Sequence, residues 1–190
     1  MNKKGFVIIF SGPSGVGKGT ICQELFKHPE LNLAYSVSMT TREKRVNEVE
    51  GVNYFFVDRA RFQQAIANDE LLEYAEFVGN YYGTPKKYCE EQTNQGKNVL
   101  LEIEVQGATQ VLAKNINAVS IFLIPPSLAE LESRIRGRKS EAEDVLQARL
   151  AKAADELPLQ KNYDYVVVNN TVEQATNEII AILKKEIAQR

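Results

Sequence analysis

The chain has no tryptophan, one histidine, two cysteines and two methionines among its 190 residues. Each scarcity removes a kind of chemistry. The lone His28 precedes Pro29 in a loop-like stretch and reads as a solvated surface residue, so histidine-based triads and histidine-rich metal sites have nothing to be built from. Cys22 and Cys89 stand far apart with no C-x-x-C pair, which argues against a disulfide framework or a zinc knuckle and fits a reducing cytoplasm. The first apolar run, 6–10, follows two lysines but is shorter than the apolar stretch of a signal peptide and far too short to span a bilayer. The protein is therefore expected to stay where it is made. Repeats and low-complexity tracts are absent, and a net charge of −2 supplies no general attraction for nucleic acid or anionic membrane. Any anion site must be assembled locally, and the basic clusters at 42–45 and 134–139 are the places to look.

What is present is ordinary for a soluble globular chain: 44% hydrophobic and 25% charged residues. The length suits one mixed domain, given the usual size of about 100–200 residues. Apolar, β-branched runs at 5–11, 98–103, 118–124 and 165–168 each lead toward a helical pattern, which is the βα alternation of a parallel sheet. The runs Val7-Ile8-Ile9-Phe10 and Ile121-Phe122-Leu123-Ile124 are continuous rather than alternating, as strands covered by helices on both faces require. Helices are expected at 18–27, 106–114, 127–136, 141–157 and 171–188, the last carrying Val172, Ala175, Ile179, Ile182, Leu183 and Ile187 at helical spacing. Residues 37–90 break the alternation with polar and aromatic residues, a short helix at 60–68 and strand-like pieces at 54–57 and 72–78, and read as an inserted substrate lobe. The charged segment 134–157 reads as a second mobile element. The fold expected is thus an α/β core with a central parallel sheet (1–36, 91–133 and 158–190), a lobe (about 37–90) and a lid (about 134–157).

Ser11, Gly12, Pro13, Ser14, Gly15, Val16, Gly17, Lys18, Gly19 and Thr20 link the first buried strand to a helical run. Glycines let successive backbone N–H groups face a phosphate, the helix N-terminus adds partial positive charge and Lys18 adds a full one. The bare pattern G-x-x-x-x-G-K would arise in roughly 5% of chains this long at ordinary glycine and lysine frequencies. The strand before it and the helix after it carry the phosphate-loop reading. Gly19 stands where a Ser or Thr usually meets the metal, so direct hydroxyl ligation of Mg²⁺ is not expected there.

Further on, Ser36-Val37-Ser38-Met39-Thr40-Thr41-Arg42 leads into Arg45, Glu48, Gly51 and Tyr54, followed by Glu73 and Gly79-Asn80-Tyr81-Tyr82-Gly83-Thr84. These motifs in this order resemble the guanylate kinase family, and the resemblance covers about 5–169. It implies an ATP:GMP phosphotransferase of purine nucleotide metabolism, with Mg·ATP and GMP as substrates and a phosphate-loop kinase fold; it says nothing of oligomeric state. It implies that Arg42, Arg45, Tyr54 and Tyr82 hold the GMP phosphate, and that Ser38, Glu73, Thr84 and Glu104 read guanine. The residue types suit those roles: guanidinium groups match phosphate oxygens, and a carboxylate accepts from the N1–H and 2-amino donors of guanine. Taken without the flanking motifs, Arg42 and Arg45 among Glu43, Glu48 and Glu50 read more readily as a solvated charge cluster, and Tyr81-Tyr82 also fit as core aromatics. Lys44 and Asn47 stand where the family commonly has proline and glycine.

The strand 98–103 ends in Glu102 and Glu104, the place where a carboxylate organises Mg²⁺ through water in phosphate-loop enzymes. Glu102 is the metal candidate, and the division of metal and guanine roles between the two acids stays open. By resemblance, Arg134, Arg138 and Arg149 approach the ATP phosphates, and Asn169 lies near adenine. Arg134 and Arg136 also read as solvated helix faces, and Lys139 replaces a glycine common after the lid arginine. Two rival functions remain: a kinase for another nucleotide or sugar phosphate, and a non-catalytic binding module that takes a phosphorylated peptide in the same lobe.

Overall fold

The three central strands of the first sheet, Val7–Ser11, Asn98–Glu102 and Ala118–Ile124, are largely buried apolar runs. The structure is a computed structural model that describes residues 3–77, 79–137 and 143–190. In chain order it forms β1 Val7–Ser11, α1 Lys18–Leu25, β2 Leu33–Tyr35, β3 Ser38–Thr40, β4 Tyr54–Phe56, α2 Arg59–Ala67, β5 Leu71–Phe77, β6 Asn80–Pro85, α3 Lys86–Asn94, β7 Asn98–Glu102, α4 Val105–Ala113, β8 Ala118–Ile124, α5 Leu128–Arg136, α6 Glu143–Glu156, β9 Tyr165–Val168 and α7 Val172–Gln189. The sheet order β2-β7-β1-β8-β9 is parallel throughout.

Side chains alternate along β1: Ile8 and Phe10 join Ile21, Leu25, Ile179 and Leu183 on one face, whereas Val7 and Ile9 join Leu101, Ala108, Val111 and Phe122 on the other. Helices on both sides therefore make the sheet apolar on both sides. Parallel strands also end together, so Ser11 and Glu102 finish side by side at the carboxyl edge, where ligands bind in open α/β sheets.

The closing helix α7 starts at Thr171, whose hydroxyl accepts a hydrogen bond from the Gln174 N–H at 3.2 Å, and it buries Ala175, Ile179, Ile180 and Leu183. Thr171→Ala leaves that amide without its cap and should cost about 1 kcal/mol, a fall of roughly 2–4 °C in Tm for a chain of this size. Thermal unfolding of the variant beside the parent checks it.

A second sheet, β4-β3-β6-β5, has its own small core of Met39, Phe62, Ala65 and Leu71. Its edge strand β5 is docked on α4. The Gln110 side-chain amide donates to Tyr74 O (2.9 Å) and accepts from Tyr74 N (3.1 Å), and Lys114 reaches Asp69 at 2.9 Å.

The strands and helices expected for the core are present within a few residues of their anticipated ends, as are the short helix (α2) and the pieces at 54–57 and 72–78 (β4, β5). The sequence reading did not anticipate β2, β3, β6 or α3. Strands β2 and β3 are three residues each and β6 carries Gly83 and Pro85, so pairing with neighbours is what makes these three segments strands.

Candidate functional site

Gly17 is the N-cap of α1 and has φ 102, a conformation that glycine adopts without strain. A Cβ there would also stand 2.7 Å from Asn169 Nδ2. That turn aims the start of α1 into a cavity of about 420 Å³ lined by Gly12, Ser14, Gly15, Gly17, Lys18, Gly19, Thr20, Glu102, Ile103, Glu104, Lys152 and Glu156. Lys18 Nζ folds onto its own loop, donating to Gly12 O (2.5 Å) and Pro13 O (3.2 Å). Burial pulls the Lys18 pKa below the usual lysine value, and the negative field of Glu102, Glu104 and Glu156 opposes that. Arg149 of α6 donates to Ser14 Oγ at 2.7 Å, which ties that helix to the loop. Ser11, Pro13 and Val16 are buried beneath the loop rather than lining the cavity; the Ser11 hydroxyl donates to Ile103 O at 2.9 Å. Asn169 is also buried, donating to Val16 O (2.8 Å), and Arg134 donates to Asn169 O (2.9 Å) and to Glu130 (3.0 Å). Arg138 and Lys139 lie outside the described residues.

A second cavity, about 470 Å³, lies against the second sheet and is lined by Ser38, Tyr54, Glu73, Ala75, Glu76, Phe77, Tyr82, Glu102, Ile103, Glu104, Gln106, Gly107 and Lys152. Glu73 is only 7% exposed. Its burial pushes the carboxyl pKa up against the opposing hydrogen bonds from Thr84, whose hydroxyl donates to Glu73 Oε1 at 2.5 Å. Thr84 therefore does not face the cavity: it stands behind Glu73 and spends its one proton on it. Gly107 makes room for the carboxylate, since a Cβ there would lie 2.8 Å from Glu73 Oε2.

Arg42 lies beside this cavity rather than in its lining. It pairs with Glu48 at 2.6 Å and sits 5.5 Å over the Tyr54 ring and 5.9 Å over Phe56. The Glu48 hydrogen bond raises the Arg42 pKa, and the same bond lowers that of Glu48. Arg45 is exposed, with its backbone N–H donated to Glu48 Oε2 at 2.9 Å.

The two cavities share Glu102, Ile103, Glu104 and Lys152, so the end of β7 is the floor common to both. Glu102 faces the start of α1: a Cβ on Gly19 would be 3.5 Å from its Oε1, and the buried Cys22 thiol, its pKa raised first by burial and then by Glu102, stays protonated as a donor to it. Lys152 and Glu156 were not singled out from the sequence. A signal existed, because Arg149, Lys152 and Glu156 recur at steps of three and four and so share one helical face.

The guanylate kinase family model matches residues 4–186. A guanylate kinase of Mesoplasma florum is 61% identical over 186 residues, 98% of this chain, and the chain spans 63% of that protein's length. A Bacillus cereus guanylate kinase is 52% identical over 189 residues, covering 100% of this chain and 92% of the relative. The crystal structure of guanylate kinase from Anaplasma phagocytophilum superposes with a TM-score of 0.71 at 37% identity, over 97% of this chain and 87% of that one. With the family model matched from residue 4 to residue 186 and a relative 52% identical over 92% of its own length, the chain belongs to the guanylate kinase family.

Proposed function

We propose that this chain transfers the γ-phosphoryl group of Mg·ATP to GMP, giving ADP and GDP, and that it does so in a cytoplasm, as a step of purine nucleotide metabolism. The observation that carries the reading is the meeting of two cavities at Glu102 and Glu104, one bearing the phosphate loop and Lys18, the other the buried Glu73. A reaction between two nucleotides needs such a shared wall: the reacting atoms must approach in line with water excluded.

In this reading the segment 37–90 is the acceptor lobe, 134–157 the lid, and the remainder the core. Glu73 accepts from the N1–H and 2-amino groups of guanine, held at its back by Thr84, and Ser38 offers a hydroxyl to O6. Adenine presents the reverse polarity and leaves these groups unpaired. Arg42, Arg45, Tyr54 and Tyr82 take the GMP phosphate. Lys18, the loop amides, Arg134, Arg138 and Arg149 take the ATP phosphates, with Asn169 toward the adenine side. The bond from the γ-phosphorus to the β–γ bridging oxygen breaks with its electron pair leaving on ADP, while a GMP phosphate oxygen forms the new bond. That oxygen is already ionised near neutrality, so no general base is called for and a single histidine is no obstacle.

The donor set suits Mg²⁺, a hard cation that keeps several waters and asks for one or two carboxylates beside substrate phosphates. Glu102, Glu104 and the Thr20 hydroxyl line the phosphate-loop cavity, and among the described residues no group of three or more acidic, histidine or cysteine side chains forms a dedicated cage. Bound there, the ion would neutralise charge on the β- and γ-phosphates, with Glu102 orienting its waters. The cytoplasmic setting is supported by two buried free cysteines, and among the described residues no helix is long and apolar enough to cross a membrane.

The test is a coupled ADP-release assay with Mg·ATP and GMP, AMP, CMP, UMP, dTMP or IMP as separate acceptors. Turnover with GMP and close analogues alone is expected. A preference for AMP overturns the guanine assignments of Ser38 and Glu73, and silence with every acceptor transfers the case to a phosphopeptide-binding module.

A further inference from the structure

Lys152 is the only cation that, among the described residues, lines both cavities. It projects from α6 on the same face as Arg149, and the helix thereby bridges the cleft: Arg149 reaches the phosphate loop at Ser14 (2.7 Å), and Lys152 Nζ reaches Glu104 Oε2 (2.8 Å) with Glu156 Oε1 at 3.7 Å. The charged groups facing it are thus Glu104 from the end of β7 and Glu156 from its own helix, with Glu102 and Lys18 across the same cavity.

That pairing is one the lysine can leave. Its side chain is 51% exposed and that of Glu104 is 69% exposed, and an ion pair so open to water contributes little beyond what solvent would supply. A four-carbon stem with a compact ammonium head can turn to a new anion at small cost. The one anion that must occupy the junction of the two cavities is the phosphoryl group in flight, whose charge is spread over its three equatorial oxygens. Lys18 lines only the donor cavity and Arg42 pairs with Glu48 outside both linings. Neither, as placed, covers the middle.

Resting on the kinase reading above, we propose that Lys152 is a further catalytic residue of the phosphoryl transfer. It exchanges its ion pair with Glu104 for the equatorial oxygens of the transferring group. It gives and takes no proton; the bond to the ADP oxygen breaks and the bond to the GMP phosphate oxygen forms as stated, and Lys152 stabilises charge midway.

The experiment compares the parent chain with Lys152→Met and Lys152→Arg, measuring single-turnover transfer rate and steady-state KM for each substrate, with GMP affinity by calorimetry. For Lys152→Met the transfer rate should fall about tenfold, the scale of one charge-assisted contact made in the transition state. Both KM values and the GMP affinity should stay within about threefold, because the contact is absent from the ground state, and arginine should restore most of the rate. Lys152→Gln repeats the test if the methionine variant proves unstable on heating. An unchanged transfer rate overturns the proposal. So does a loss confined to the GMP KM and affinity, which would make Lys152 a support for Glu104. These outcomes require a parent chain that phosphorylates GMP; failure of the parent itself overturns the kinase reading instead.

Discussion

Lys18→Ala is expected to lower kcat by at least about 10²-fold, the effect of deleting one preorganised charge aimed at a transferring group. Lys18 opens α1 immediately after Gly17, whose positive φ sets the turn, and its ammonium is drawn back onto Gly12 O and Pro13 O. Desolvation lowers its pKa, and the negative field of Glu102, Glu104 and Glu156 counters that. In the proposed reaction an arriving polyphosphate would replace these two carbonyl acceptors with charged ones, with the larger gain in the transition state. The loss should therefore appear in kcat, with the GMP affinity near the parent value because Lys18 does not line the second cavity. Initial rates at saturating Mg·ATP and GMP decide it, and near-normal turnover would remove the phosphate loop from the mechanism.

Glu73→Gln should separate specificity from stability. Glu73 is 7% exposed, with Thr84 as its donor. A glutamine keeps an oxygen for Thr84 but turns an NH₂ toward guanine donors. The kcat/KM for GMP should fall about 10²-fold, the consequence of leaving buried polar groups without partners. IMP, which lacks the 2-amino group, should lose about tenfold less on the same grounds. Equal losses would mean that Glu73 does not read that edge.

Stability should move the other way. Burial raises the folded-state pKa of Glu73 above the usual glutamate value. Between the unfolded and folded values the native state binds more protons, so this group's contribution to stability falls as pH rises through that window. Glutamine removes the penalty. The Tm difference, variant minus parent, should therefore grow in the variant's favour from pH 4 to pH 8. Thermal scans of both proteins across that range measure it, and a gap that widens toward acid would contradict the burial argument.

The parallel core was legible because its signals are local. A continuous run such as Val7-Ile8-Ile9-Phe10 requires helices on both faces wherever it sits, and glycines before Lys18 require a turn into a helix. The acceptor side was legible only as a series of motifs, since Ser38, Tyr54, Glu73 and Tyr82 are spread over 45 positions and no periodicity joins them. Strands β3 and β6 carry weak local preference, and pairing with each other and with β4 and β5 makes them strands. Thr84 shows the limit most clearly. As a residue type it suits O6 of guanine, and only the packing of β5 against β6 turns its hydroxyl onto Glu73 instead.

The sequence by itself therefore determined a parallel α/β core, a phosphate loop at the end of its first strand, and a set of polar residues suited to a phosphate and a purine edge. Tertiary structure decided which of them share a wall. Parallel strands must end at one edge, so β1 and β7 bring Lys18 and Glu102 together across more than 80 residues of chain. The return of α6 across that edge sets Lys152 between the two cavities, a position fixed by how three elements pack and not by any neighbour in the chain.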